Sequence, residues 1–223
     1  MRYLPINLDI RDRLTIVVGG GPVAARKCAA LLEAGARILV IAPELDDTIT
    51  ACLEGVSIRH LAREFRPGDL DGAFLVFAAT DDADVNRVVA REAASRAILA
   101  DIADAPGLGA FTLPAVMRRG SLQIAVSTGG KSPALARQIR DRLAEQYGQE
   151  YAAALDILGS LRTKLLTAKG NSAYNKQIFD ELAARLPAMI GHASPAEIDN
   201  LLLTLVGPGF SLAELASGGK DPE

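Results

Sequence analysis

With 223 residues, 49% of them hydrophobic and 23% charged, the chain has apolar material for one large or two small domains with real cores. A formal charge of -3 excludes general attraction to nucleic acid or to a membrane surface. Cys28 and Cys52 are too few for a disulfide framework and lack metal-ligand spacing, so both read as small buried residues of a reducing cytoplasm.

In chain order, Tyr3–Leu8 reads as a short apolar edge strand or a packed arm. Leu14–Val18 is rich in β-branched residues and runs straight into Gly19-Gly20-Gly21, with an Ala-rich helical pattern over Val23–Glu33 behind it. That is strand, tight turn and helix. Gly19, Gly21 and Ala24 fit the G-x-G-x-x-G/A dinucleotide fingerprint: the first glycine for the turn, the second for close approach to a pyrophosphate, the small third residue for helix packing. The helix N-terminus would then offer N–H groups and the positive dipole end to phosphate. The competing reading is a plain glycine turn, and the flanking strand and helix favour the fingerprint.

Arg37–Ala42 is the second strand, Asp46–Leu53 a short helix, Ser57–Leu61 a third strand and Phe65–Asp71 a polar loop. Ala73–Ala79 is nearly continuous in apolar residues, as in a strand covered on both faces. Thr80-Asp81-Asp82 caps a helix reaching about Ser95, and Ala97–Ile102 is the next buried strand. Strands alternating with helices predict an α/β fold with a parallel, doubly wound sheet. Beyond residue 104 the pattern changes. Phe111–Met117 is apolar, Arg118-Arg119-Gly120-Ser121 reads as a hairpin turn into the strand Leu122–Ser127, and a second glycine loop, Thr128–Ser132, precedes Pro133. From Tyr147 on the chain reads as all helical, with Leu155, Leu158, Leu161 and Leu165 on one face, and Ile178, Leu182 and Leu186 on another. Ser194-Pro195-Ala196-Glu197 has capping-box spacing, and Gly207-Pro208-Gly209 ends the helix it opens. The expected segments are 1–113, a Rossmann domain; 114–146, a subunit-pairing segment; 147–216, a small helical domain; and 217–223, a disordered tail.

Several positions have two readings. Glu44, at the exit of the second strand, reaches an adenosine ribose, or Pro43 and Glu44 offer only backbone, or Glu44 is a solvated loop charge. No lysine or arginine lies near it in sequence to hold a 2′-phosphate, which favours NAD over NADP. Thr80-Asp81-Asp82 sits at a strand's carboxyl end, where helix capping outweighs ligand contact. Asp104 follows another such end and is either a general base or part of an ordinary Asp-Ala-Pro turn. Gly130-Lys131-Ser132 looks like the end of a Walker A loop, but Ala125 stands where its first glycine belongs and Pro133 removes a backbone N–H. The loop keeps a capacity to bind anions, with Lys131, Arg137 and Arg140 close by. His60 and His192 lie in no metal-ligand pattern, so no metal site is expected. The N-terminus lacks a signal peptide's apolar core and no apolar run spans a bilayer, so a cytoplasmic chain without a membrane or nucleic-acid partner is expected.

The segments Y-L-P-I-N-L (3–8), V-V-G-G-G-P-V-A-A-R-K (17–27), L-L-E-A-G-A-R (31–37), A-A-T-D-D (78–82), D-A-P (104–106), F-T-L-P (111–114) and S-T-G-G-K-S-P-A-L-A-R (127–137) together resemble the siroheme-synthase dehydrogenase family. Their order and spacing, rather than any one motif, carry the resemblance over about residues 1–145. It implies a homodimer that binds NAD, oxidises the tetrapyrrole precorrin-2 to sirohydrochlorin and, in some members, inserts iron as a ferrochelatase. Asp104 falls on the family's active-site aspartate. Pro22, Val23, Pro43 and Glu44, with Gly19, Gly21 and Thr80, fall on the cofactor side. Thr128, Gly129, Gly130 and Lys131 are the expected substrate contacts, beside a basic region that includes Arg118 and Arg119. Thr128 stands where some relatives carry a phosphorylatable serine. Asp101 replaces a common asparagine and Ala103 a common valine, which implies a pocket of different polarity. No methyltransferase domain follows, so methylation is expected from another protein. The alternative is a non-catalytic NAD-binding regulatory domain, which would need neither Asp104 nor the second glycine loop.

Overall fold

The computed structural model describes residues 3–53, 58–169 and 175–217. It divides into two units, Met1–Leu113 and Pro114–Glu223. The first runs β1 (Leu14–Val18), α1 (Pro22–Glu33), β2 (Arg37–Ile41), α2 (Asp47–Leu53), β3 (Ile58–Leu61), β4 (Leu75–Ala78), α3 (Ala83–Ser95) and β5 (Leu99–Ile102). All five strands pair in parallel, in the order β3-β2-β1-β4-β5. The sheet is Rossmann-like, as the alternation of elements predicts.

The central strands β1 and β4 are nearly all apolar because both their faces are covered, whereas the edge strand β3 carries Arg59 and His60. Val17, Val40 and Phe77 pack with Ala24, Cys28 and Leu31 of α1. The residues between them, Ile16, Ile41, Val76 and Ala78, pack with Val89, Ala90 and Ala93 of α3. β1 leads by way of α1 to β2 on one flank, while β4 adds to the other flank. The direction of winding therefore reverses between β1 and β4, and ligands of such sheets bind at the carboxyl ends beside that reversal.

One expectation in this unit fails. Tyr3–Leu8 is neither strand nor packed arm: it has no regular structure, and Leu4 is 81% and Ile6 65% exposed. The sheet's edges are β3 and β5, and the arm pairs with neither; the first apolar residue it buries is Ile10. Ser57, the expected start of the third strand, the side chain of Cys52 and the tail 218–223 lie outside the described residues.

The second unit opens with an antiparallel hairpin, β6 (Ala115–Arg119) and β7 (Leu122–Val126). Arg118 and Arg119, expected in the turn, instead extend β6 opposite Gln123 and Leu122, which leaves the turn to Gly120 and Ser121. Four longer helices follow, α4 (Pro133–Gln146), α5 (Glu150–Lys169), α6 (Lys176–His192) and α7 (Pro195–Val206), then the short α8 (Leu212–Ala216). α5 buries Ala154, Leu161 and Leu165 against Leu182, Leu186 and Leu202, with Ile157 and Leu158 at the margin. Leu155 is 37% exposed and off that face, one position away from the stripe that Ala154 occupies. Ser194 donates through its backbone N–H and its hydroxyl to the Glu197 carboxylate, both at 2.8 Å. A second capping box, Ser211 with Glu214, opens α8. Among the described residues, no helix is long and apolar enough to cross a membrane.

Candidate functional site

Gly19 sits directly on the end of β1 with φ +120°, a left-handed backbone that disfavours any side chain, and a Cβ there would lie 2.4 Å from the Ala79 carbonyl oxygen. The loops after β1 and β4 thus touch. Gly20 is held as closely on its other side: a Cβ would lie 1.9 Å from the Glu44 carbonyl oxygen, and the Asp46 N–H donates to the Gly20 carbonyl at 2.7 Å. Sequence reasoning passed over Gly20, because the fingerprint leaves that position free. Gly21 differs from both. Nothing lies within 4 Å of a Cβ built on it, and its backbone is extended (φ -84°, ψ -175°). It is the N-cap of α1, where no side chain caps the helix and no acidic residue lies in the first turn. Open space in front of an uncapped helix N-terminus suits an anionic group such as a pyrophosphate. Pro22 occupies the first helical turn, Val23 is exposed beside it, and Ala24 is fully buried against the sheet.

At the exit of β2, Pro43 and Glu44 are both exposed. The Glu44 backbone packs on Gly20 while its side chain faces solvent, so it contributes to the site's shape even before any ligand contact. Asp46 is occupied structurally. Its carboxylate accepts the Thr48 N–H at 2.9 Å at the start of α2, and the Thr48 side chain, with this backbone bond, holds its pKa below the usual carboxylate value.

Beyond β4, Asp82 is the N-cap of α3: its carboxylate accepts the N–H groups of Asp84 (2.8 Å) and Val85 (3.2 Å). Thr80 does something else. Its N–H donates to Asn86 Oδ1 (3.3 Å), and its carbonyl accepts from Asn86 Nδ2 (3.0 Å). The same Asn86 Nδ2 donates to Asp104 Oδ1 at 2.8 Å. Asp104 is exposed and lies just past β5, where the Ala103 N–H still continues the ladder to Ala78 at 3.0 Å. Asn86, 1% exposed, joins the β4 loop to the Asp104 carboxylate, and sequence reasoning missed it. The signal was present: Asn86, Val89, Ala90 and Ala93 form the buried stripe of α3, and a polar residue on such a stripe marks a required partner.

Asp101 does not enter the crevice as a free carboxylate. It is 5% exposed on β5 and forms an ion pair with Lys27 of α1, whose ammonium lies 5.3 Å from the centre of the Phe77 ring. The substitution noted there alters the seam between α1 and the sheet, so the expected change of pocket polarity is not carried by this residue.

In the second unit the loop Thr128–Ser132 is closed on itself. The N–H groups of Gly129, Lys131 and Ser132 donate respectively to Ser127 Oγ, the Thr128 carbonyl and Thr128 Oγ1. Thr128 Oγ1 in turn donates to the Ser132 carbonyl, and Ser132 Oγ caps Leu135. Gly129 (φ +62°) and Gly130 (φ +83°) supply the left-handed turn this closure needs. Backbone N–H groups are thus largely used internally, and anion contact from this loop falls to the exposed Lys131 side chain. The basic region is likewise divided. Arg119 donates to the carbonyls of Arg118 (2.9 Å) and Ala144 (3.1 Å) at the end of α4, and Arg140 pairs with Asp141. Arg137 is exposed. No group of three or more potential metal-ligating side chains occurs among the described residues.

The parallel sheet, the crevice at its winding reversal and the open Gly21 approach define a Rossmann-type dinucleotide-binding protein. Residues 6–115 match a family model described as "Putative NAD(P)-binding", and residues 119–146 match one described as "Sirohaem biosynthesis protein central". A siroheme synthase of Methylobacillus flagellatus is 43% identical over 183 residues, covering 80% of this chain and 39% of its own length. Siroheme synthase 3 of Aeromonas hydrophila is 36% identical over 228 residues, covering 100% of this chain and 49% of its own. Among solved structures, SirC, a precorrin-2 dehydrogenase, matches with a TM-score of 0.72 and 26% identity over 91% of this chain and 98% of that one. The chain belongs to the siroheme-synthase dehydrogenase family, and it spans less than half the length of these two siroheme synthases.

Proposed function

We propose that this chain is an NAD-dependent precorrin-2 dehydrogenase, oxidising precorrin-2 to sirohydrochlorin in siroheme biosynthesis. The observation that carries the reading is one exposed carboxylate, Asp104, tied by Asn86 to the loop that flanks the glycine crevice. The residues present fit a nicotinamide dinucleotide: Gly21 leaves space at the α1 N-terminus, and Gly19, Pro22, Val23, Pro43, Glu44 and Thr80 surround that end of the sheet. When bound, the cofactor supplies the acceptor for a hydride.

Removal of two hydrogens from the macrocycle balances as one hydride and one proton, with a carbon–carbon double bond left in the ring system. Asp104 takes the proton. Its Oδ1 already accepts from Asn86, which leaves Oδ2 as the atom that faces the substrate's proton. A positioned base of this kind is worth about 10²–10⁴-fold in rate. Lys131 and Arg137 supply positive charge for a substrate rimmed with carboxylates, with Thr128, Gly129 and Gly130 fixing the loop that carries Lys131. NAD is favoured over NADP because Glu44, Asp46 and Asp47 follow β2 and no cation occurs between Ala42 and Ser57. The working enzyme is a cytoplasmic homodimer, with residues 1–113 binding cofactor, 114–146 pairing subunits and 147–216 forming the helical domain. Ferrochelatase activity rests on the family resemblance alone, and a metal arm of the same assay addresses it.

The test is anaerobic single-turnover oxidation of precorrin-2 with NAD+, followed by addition of ferrous ion. The Asp104→Asn protein should bind NAD+ and melt like the parent, yet turn over at least about 10²-fold more slowly. Oxidation by that variant at the parental rate would remove Asp104 as the base. NAD+ binding with no oxidation by the parent would identify a regulatory nucleotide-binding protein instead.

A further inference from the structure

We infer that Asn86 is a positioning residue for the reaction, holding the Asp104 carboxylate in register with the cofactor loop; this rests on the role proposed above for Asp104. The amide orientation follows from its neighbours. The Thr80 N–H needs an acceptor and finds Asn86 Oδ1 at 3.3 Å; the Thr80 carbonyl needs a donor and finds Nδ2 at 3.0 Å. Flipping the amide would set oxygen against oxygen and N–H against N–H, so backbone chemistry fixes which end faces Asp104. The remaining hydrogen of Nδ2 can then only point toward Asp104 Oδ1, at 2.8 Å. Oδ1 of Asn86 has a second donor available in the Thr80 hydroxyl at 2.9 Å, which otherwise serves the Asp82 carbonyl. The side chain is 1% exposed and saturated in donors, so it is rigid where Asp104 itself is exposed. A buried group that spends one donor on an exposed carboxylate, in a helix otherwise lined by Val89, Ala90 and Ala93, orients that carboxylate.

The bond fixes which oxygen of Asp104 is left for proton transfer. Arg87 of α3 acts electrostatically on both Asp104 and Asp82, while its guanidinium pairs with Asp84. Among the described residues the side-chain donor to the Asp104 carboxylate is Asn86, which sets its orientation.

The experiment compares Asn86→Ala, Asn86→Asp, Asp104→Asn and the double variant Asn86→Ala/Asp104→Asn, in single-turnover oxidation of precorrin-2 at saturating NAD+. Loss of a hydrogen bond to a charged group should slow Asn86→Ala about 10–100-fold. In the Asp104→Asn background the same change should cost nothing further, because the partner through which it acts is gone. Asn86→Asp keeps an acceptor for the Thr80 N–H but faces Asp104 with a second carboxylate, so the ascending limb of its pH–rate profile should move to higher pH. NAD+ affinity, measured by calorimetry, separates any loosening of Thr80 from the effect on turnover. A readout independent of activity uses the parental chain alone: the Asn86 side-chain amide resonances should shift as Asp104 titrates, and Asp104→Asn should abolish that shift. Asp104→Asn turning over normally would overturn the base reading and this inference together. A slow Asp104→Asn with a normal Asn86→Ala, equal losses in both backgrounds, or amide resonances blind to Asp104 would overturn the inference while leaving the base in place.

Discussion

The glycine loop allows steric and functional demands to be separated by single methyl groups. At Gly20 a Cβ would stand 1.9 Å from the Glu44 carbonyl oxygen, and real Cβ contacts essentially never fall below 3.0 Å, so backbone must move by about 1.1 Å in Gly20→Ala. The obstacle cannot rotate away, because the segment is tied back by the Asp46 N–H to the Gly20 carbonyl at 2.7 Å. Overpacking of this kind costs about 1–3 kcal/mol, which for a unit of this size lowers Tm by about 5–15 °C. At Gly21 the opposite holds. A Cβ meets nothing within 4 Å and the backbone is extended, so Gly21→Ala should leave the Tm of the free protein unchanged or slightly raised. Its methyl group would instead stand in the approach to the pyrophosphate, and NAD+ affinity should fall at least about tenfold, ~1.4 kcal/mol. Scanning calorimetry with and without NAD+ reads both effects. A ligand at 100 times its Kd stabilises the folded state by about 2.7 kcal/mol, so the parental Tm should rise on NAD+ addition, and that rise should shrink in Gly21→Ala. Parental melting by Gly20→Ala would refute the steric reasoning, and parental NAD+ affinity in Gly21→Ala would refute the placement of the pyrophosphate.

Other outcomes follow from the same structure. NAD+ should be preferred over NADP+ in turnover, since a 2′-phosphate near Glu44, Asp46 and Asp47 would meet repulsion; equal turnover with NADP+ would undo the ribose assignment. The two-stranded sheet of β6 and β7 leaves each strand one edge without a strand partner among the described residues, so light scattering at micromolar concentration should report a dimer, and a monomer would count against pairing through this segment. The half-buried Asp69 carboxylate is held below its usual pKa chiefly by its hydrogen bond from Arg63. A carboxylate with a depressed folded pKa stabilises the fold above its unfolded value of 3.8, and that contribution is lost as pH falls through the lower, folded value. Acid titration of Tm should therefore be flatter for Asp69→Asn than for the parent; parallel curves would show the pair to be idle.

The site was legible where a local rule governs it. Gly19 and Gly21 announce themselves by position between a strand and a helix, and Asp104 by following a buried strand. The same local rules explain the errors. Tyr3–Leu8 alternates as a strand does, yet among the described residues no strand of the sheet takes it as a neighbour, because an apolar pattern states what a segment could bury and not what is there to cover it. Arg118 and Arg119 look like turn residues by charge, while their backbone follows the register that Gly120 and Ser121 set.

By itself, then, the sequence determined the alternation of strands and helices, the parallel sheet it requires, and the placing of each candidate residue at a strand's carboxyl end. These follow from hydrophobic period, helix caps and glycine, which act over a few residues. The order β3-β2-β1-β4-β5 was decided by tertiary packing, and so were the pressing of Gly20 on Glu44, the Lys27–Asp101 pair and the bond from Asn86 to Asp104. The last two join positions 74 and 18 residues apart, across separate elements. No local pattern encodes such a partner, since the contact exists only once the sheet has set which loops stand side by side.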